Sequence, residues 1–242
     1  MERVRSLALV LSLYFLWSSL LQDPNKSFLG YTRAQMLTYV LGLALLRALV
    51  LTNRVFELTY EIARGRISAH LLRPISVFAY QFSLDLSDKV VRVLSAIVEI
   101  AVLAIVFKAT LYWPHSAATL ALTVLAIIFA LVLYFQIGLS LACSGFWSAE
   151  SIGFLWAASL FMDFCSGAFF PLDVLPPTIA RILHHLPFPY LVYFPINVYL
   201  ERMNLSDAFQ GLAIQVAWIG GFGVFSRWLW NLGIRNYQAE GG

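Results

Sequence analysis

NRVFELTYEIARGRISAHLLRP, residues 53–74, is a polar island between two long apolar runs. It holds Arg54, Glu57, Glu61, Arg64, Arg66 and Arg73, while the runs on either side carry few charges. Phe56, Tyr60, Ala63, Ile67 and Leu71 recur at steps of three or four, the spacing of one helix face. Glu57, Glu61, Arg64 and Ser68 fall mostly away from that stripe. The spacing predicts a short amphipathic helix lying flat on one membrane face, a natural platform for a partner.

The composition explains why such an island stands out. Of 242 residues, 60% are hydrophobic and 12% charged, whereas a soluble domain is about 25% charged and about 45–50% apolar. No soluble fold of this size can cover that much apolar surface. The fold class that follows is all-α and polytopic in the membrane. Continuous apolar runs argue against a β-barrel, whose strands alternate. The net charge of +3 is small and gives no reason to expect nucleic acid as a partner.

A hydrocarbon core of ~30 Å needs ~20 apolar residues per helix. Six stretches meet or approach that length: residues 4–21, 34–51, 90–107, 117–142, 152–170 and 209–232. The first follows Arg3 and Arg5 in the manner of a signal peptide. Its length, its Trp17-Ser18-Ser19 ending and the absence of a small-x-small cleavage site favour a first spanning helix. Alternating the six helices from a cytoplasmic N-terminus puts eleven of the 16 Lys and Arg at the cytoplasmic face. These are Arg3, Arg5, Arg47, Arg54, Arg64, Arg66, Arg73, Lys89, Arg92, Arg227 and Arg235; the outer side keeps Lys26, Arg33, Lys108, Arg181 and Arg202. Both termini and the island are therefore expected inside.

The connection at residues 171–206 is too apolar for a solvated loop and holds Pro171, Pro176, Pro177, Pro187, Pro189 and Pro195. Pro177 suits the first turn of a short helix over 178–186, where a missing N–H is harmless. A helical hairpin dipping into the outer leaflet is expected, with its irregular backbone buried against protein.

Motifs for catalysis are missing. The sequence has no G-x-x-x-x-G-K-[ST], no H-E-x-x-H and no serine nucleophile elbow. His184 and His185 are adjacent, so on a helix they point about 100° apart and converge poorly on a metal. Cys143 and Cys165 share no ligand spacing and read as buried packing residues. No metal, no cofactor and no enzymatic activity are expected of the chain itself. Three ionisable residues fall within or near the spans: Arg47, Glu99 and Asp163. Arg47 is close enough to the cytoplasmic end to snorkel. Glu99 and Asp163 fit either structural pairing or a translocation path.

Several stretches together carry a resemblance. They are Glu61-Ile-Ala-Arg-Gly65-Arg-Ile-Ser with Leu71-Leu72-Arg73-Pro74, Gly145-Phe-Trp147-Ser-Ala-Glu150-Ser, and Ser166-Gly167-Ala-Phe-Phe-Pro171-Leu172-Asp173-Val-Leu-Pro176. Leu186-Pro187-Phe188, Tyr193-Phe194-Pro195, Arg235-Asn-Tyr237 and Gly241-Gly242 follow in order. Over nearly its whole length the chain resembles the compact six-helix permeases of bacterial ABC-2 type exporters. That pattern has a longer cytoplasmic segment before the first span; here the apolar run begins almost at Met1.

The resemblance implies a permease in the bacterial inner membrane, working as a homo- or heterodimer among membrane lipids. A separate ABC ATPase subunit would supply the ATP and Mg chemistry. Phe56, Glu57, Tyr60, Glu61, Arg64 and Gly65 would form the coupling helix, with Gly65 as its C-cap, and Trp147 and Glu150 a second contact. Gly167, Pro171, Asp173 and Pro176 would shape an outer lid. Two other readings remain open at this point: an ATP-independent carrier or membrane assembly factor, and a membrane enzyme acting on lipids.

Overall fold

A computed structural model describes residues 2–21, 27–52, 54–71, 74–148 and 152–237. The fold is all-α. The helices are α1 (Glu2–Leu20), α2 (Arg33–Leu49), α3 (Val55–Ala63), α4 (Ser68–Leu71), α5 (Val77–Val106), α6 (Ala117–Ala142), α7 (Ile152–Ser166), α8 (Pro177–His184), α9 (Tyr193–Tyr199) and α10 (Leu205–Asn236). Single 3-10 turns occupy Cys143–Phe146, Leu172–Val174 and Phe188–Leu191. Among the described residues the only strand-like pairing is an isolated bridge between Phe28 and Tyr31.

Two segments, Ala117–Phe146 and Leu205–Arg235, are long and apolar enough to cross a membrane; Leu7–Leu20 and Ile152–Ser166 are shorter apolar helices. The long helices start where capping groups supply acceptors for the first free N–H groups. Ser116 accepts from Ala118 N at 3.2 Å, and Asn204 accepts from Asp207 N at 2.8 Å. Thr32 and Gln35 form a reciprocal capping box at the start of α2. Pro177 stands in the first turn of α8, which ends at His184 rather than at residue 186.

The largest packed pairs are α6 with α10, α1 with α2, and α2 with α5. One contiguous core joins Val10, Tyr14, Met36, Leu43, Leu133 and Leu212. Gln215, fully buried on α10, donates to the carbonyls of Ala126 (3.0 Å) and Tyr190 (2.9 Å). It thereby ties α10 to α6 and to the hairpin, as polar side chains do between helices in an apolar medium.

Three helices differ from the expected runs by four residues or more; α10, expected over 209–232, spans Leu205–Asn236. The third run, expected over 90–107, is only the later part of α5, which begins at Val77. Gln81, Asp85 and Lys89 lowered the hydropathy there. They lie at steps of four, buried on one inward stripe, and Lys89 bonds Asp85 at 2.5 Å. The fifth run, expected to reach residue 170, ends at Ser166 because Gly167 takes φ +85. A left-handed residue stops a helix and favours glycine.

Candidate functional site

The polar island folds as two short helices, not one. α3 ends in a Schellman motif: Arg66 N donates to Glu61 O at 2.8 Å, and Gly65 N to Ile62 O at 3.1 Å. Gly65 sits at φ +71, so it is the C′ glycine that ends α3. The turn at 64–67 then resets the helical phase before α4.

This break corrects the expected apolar stripe. The buried face of α3 is Val55, Leu58, Thr59 and Ile62, with Ile67 buried beyond the turn. Those residues also recur at steps of three and four, so two stripes competed in one short sequence, and the aliphatic one went inward. Tyr60 is 39% exposed, and the Arg64 guanidinium lies 3.8 Å from its ring centroid. Such stacking covers one face of the ring and holds the cation out over it. Phe56 is on α3, but its side chain lies outside the described residues.

The rest of the outward face is charged. Glu57 is exposed and paired with Arg54, which also reaches Asp88 of α5 at 3.5 Å. Burial tends to lower the Arg54 pKa, but Glu57 and Asp88 outweigh it, and the net shift is upward. Glu61 is half-buried and lies 3.4 Å from His70 Nε2 of α4. Arg64 and Arg66 are exposed. The platform thus presents a tyrosine–arginine stack with a mixed-charge rim.

Beneath it, α3 rests on the turn that follows α6. A Cβ added at Gly145 would stand 2.6 Å from Thr59 O and 3.2 Å from Ile62 Cβ, so only hydrogen fits. Val55, Leu58 and Ile62 share a cluster with Phe135, Leu139, Cys143, Leu155 and Trp230. Each such burial contributes about 1.5–3 kcal/mol. Trp147 is 49% exposed beside this contact, so the two expected docking stretches are adjacent. Glu150 lies outside the described residues.

Sequence reading missed what anchors the platform from the far end of the chain. Tyr237 Oη donates to the Gly65 carbonyl, which also accepts from Ser68 Oγ at 3.0 Å. Phe146 packs edge-on to Trp230 (5.4 Å) and Tyr237 (6.1 Å). A Cβ at Gly233 would be 2.2 Å from the Phe146 ring. Arg235-Asn-Tyr237 had been visible as a motif, but its spatial partner, 172 residues away, had not.

A second polar region lies at the hairpin, at the other end of α2. Asp173 accepts from Tyr31 Oη at 2.6 Å and from Tyr193 Oη at 2.9 Å. Tyr31 Oη is also 3.0 Å from Asn197 Oδ1. Burial first, and the Asp173 hydrogen bond second, push the Tyr31 phenol far up, so it stays a donor. Arg202 stacks 3.5 Å from the Tyr31 ring centroid and donates to Gly30 O at 2.6 Å and Leu29 O at 3.1 Å. Tyr39 Oη donates to Gly167 O at 2.8 Å. Pro171 is buried and Pro176 exposed, immediately before α8.

Glu201, at φ +52, is held in its left-handed conformation by four contacts. It accepts from Tyr112 Oη (2.6 Å), His115 N (3.0 Å) and Thr119 Oγ1 (3.2 Å), and lies 2.8 Å from His115 Nδ1. The Tyr112 bond foremost, then His115, lowers its pKa from the usual 4.5 to about 2. A depressed carboxylate contributes stability that is complete above pH 4.5 and lost as pH falls towards 2. The Tm difference between wild type and Glu201→Gln in detergent should therefore be constant above pH 4.5 and shrink between pH 4.5 and 2.

Asp163 pairs with Arg47 at 3.3 Å. Arg47 does not snorkel outwards: its Nη2 donates to Ala168 O at 3.0 Å, and Phe169 lies 5.3 Å from its guanidinium. Side chains on a helix tilt towards its N-terminus, which carries this one back along α2. Glu99 is half-buried on α5, on the stripe of Ala96 and Leu103. Among the described residues no group of three His, Cys, Asp or Glu is placed to hold a metal ion.

A family model described as ABC-2 family transporter protein matches residues 7–241, essentially the whole chain. The chain belongs to the ABC-2 transporter family. No curated protein matches the chain. Membership makes the α-helical bundle the membrane domain of a transporter, and the ABC-2 platform and hairpin are the two places where its helices leave regular packing.

Proposed function

We propose that this ABC-2 protein is the permease subunit of an ATP-driven exporter in the bacterial inner membrane, with ATP and Mg bound by a separate ATPase subunit. In this reading α1, α2, α5, α6, α7 and α10 cross the membrane, with both termini and α3 in the cytoplasm. Two protomers enclose the path, and the hairpin between α7 and α10 re-enters the outer leaflet as a lid. The observation that carries the reading is α3 itself. It is buried on one side by Val55, Leu58 and Ile62, seated on Gly145, and shows Glu57, Tyr60, Arg64 and Trp147 outwards. A short helix fixed to the bundle, with a polar-aromatic outer face, suits a partner that must push on the bundle. Closure of the ATPase pair would bias a two-state membrane dimer through that contact. The cargo suited to so apolar a chain is amphipathic or lipid-like.

The test is affinity purification of the tagged chain from native membranes in mild detergent, with mass spectrometry of what accompanies it. A stoichiometric subunit bearing G-x-x-x-x-G-K-[ST] is expected, and a second six-helix protein beside it would make the permease a heterodimer. Recovery without any ATPase, while a control transporter stays intact, would sink the proposal. Truncating the Tyr60–Arg64 stack in Tyr60→Ala/Arg64→Ala should lower ATPase recovery about tenfold or more, the range of interface anchor residues. Membrane levels of the chain should stay near wild type, since both groups are on the outer face.

A further inference from the structure

The Arg47–Asp163 pair is unlike the Asp85–Lys89 pair of α5. Asp85 and Lys89 are sealed, with side chains 3% and 1% exposed. Arg47 and Asp163 are 20% and 23% exposed. Their depth follows from the helices that carry them. α7 has 15 residues, about 22 Å at 1.5 Å per residue, and so ends short of a ~30 Å hydrocarbon core. Asp163 is near the Ser166 end of α7, within the core, and the carbonyls just beyond it, Gly167 and Ala168, bond Tyr39 and Arg47 of α2. An ion pair at that depth does not face acyl chains; it faces protein or a wet cavity. Its partial exposure therefore opens onto the second protomer or a wet cavity, not onto acyl chains.

The pairing is also incomplete. Arg47 makes one contact to Asp163, at 3.3 Å, longer than the ~2.7–2.9 Å of a well-formed charge-assisted bond. Its Nε is buried without a hydrogen-bond partner. A guanidinium is always charged and offers a planar fork that fits phosphate or carboxylate with two parallel bonds. Beside Asp163 on the same side of α7 stand Trp156 and Leu160, 57% and 61% exposed, an apolar strip leading up to the charge.

We propose that Arg47 binds the anionic headgroup of an amphiphilic substrate, with Asp163 as the counter-ion the headgroup displaces and the Trp156–Leu160 strip taking the tail. This rests on the transporter reading above but is tested without the ATPase. The purified full chain in neutral maltoside detergent is titrated with decyl phosphate, decyltrimethylammonium and inorganic phosphate. Arg47→Gln should weaken decyl phosphate at least tenfold, Arg47→Lys less, and Asp163→Asn should tighten it several-fold, because the competing carboxylate is gone. A purely structural pair would make the Gln and Asn variants behave alike. Should either single variant misfold, the neutral double variant Arg47→Gln/Asp163→Asn removes both charges together and should bind decyl phosphate as weakly as Arg47→Gln. Equal binding of decyl phosphate by wild type and the Arg47 variants, or preference for the cation, overturns the proposal. Competition by inorganic phosphate at the same concentration overturns the part played by the tail. Because the chain alone is used, loss of the ATPase partner in the purification above leaves this result unaffected.

Discussion

Gly145→Val is expected to abolish ATPase recovery while leaving the chain in the membrane. The glycine lies under α3 where a Cβ would meet the Thr59 carbonyl at 2.6 Å, and that atom is backbone, so it cannot rotate away. Either α3 lifts or the 143–146 turn shifts. Overpacking of this kind costs about 1–3 kcal/mol, and here the strain falls on a short helix anchored mainly by Val55, Leu58 and Ile62. The main pairings of the bundle, α6 with α10 and α2 with α5, run along the length of those helices, and α10 touches the 143–146 turn only at its end, through Phe146 and Gly233. The measurement is ATPase recovery and transport beside thermal unfolding of the chain in detergent. Loss of the partner with Tm lowered by only a few degrees is the expected pattern. Gly145→Ala should show the same direction with smaller amplitude. Normal recovery in the valine variant would mean that the seat of α3 has no part in docking.

Asp173→Ala should loosen the hairpin. It leaves the phenols of Tyr31 and Tyr193 without the carboxylate that accepts from both. Both rings are buried, and a buried donor deprived of its acceptor costs about 1–3 kcal/mol. Tyr31 keeps Asn197 Oδ1 at 3.0 Å as an acceptor, so the loss falls mainly on Tyr193. A fall in stability on the order of 2 kcal/mol follows, read as a lower Tm and faster protease cleavage between residues 171 and 200. Asp173→Asn should recover most of it, because an amide oxygen accepts from one phenol and the amide N–H can donate to the other. Equal losses in Ala and Asn would show that the charge, not the hydrogen bonding, holds the hairpin.

The sequence revealed the parts of this structure that depend on local pattern. Continuous apolar runs gave α6 and its bounds, and proline in a first turn placed α8; Gly65 as the end of α3 came from the family resemblance. Pattern failed where polarity turned inward. Gln81, Asp85 and Lys89 lie before the expected start of the third run at residue 90, yet they form a buried stripe that extends α5. On α3, Tyr60 and Leu58 were equally good members of a helical stripe, and tertiary packing on Gly145 decided between them. Contacts between distant segments were out of reach. Arg47 and Asp163 were each noticed singly, and nothing local to either, 116 residues apart, could pair them. The same holds for Tyr237 and Gly65.

α2 has one further consequence. Tyr31, just before it, meets the hairpin at Asp173, and its own Tyr39 and Arg47 meet the turn leading into the hairpin at Gly167 and Ala168. Only a few residues separate its last turn from α3. A hydrogen-bonded helix bends more readily than it stretches, so its two ends are not free to move independently. In the proposed orientation, parting Tyr31 from Asp173 on the outer side would immobilise the Tyr60–Arg64 face on the cytoplasmic side, which makes the hairpin a point of control that a ligand reaches without crossing the membrane.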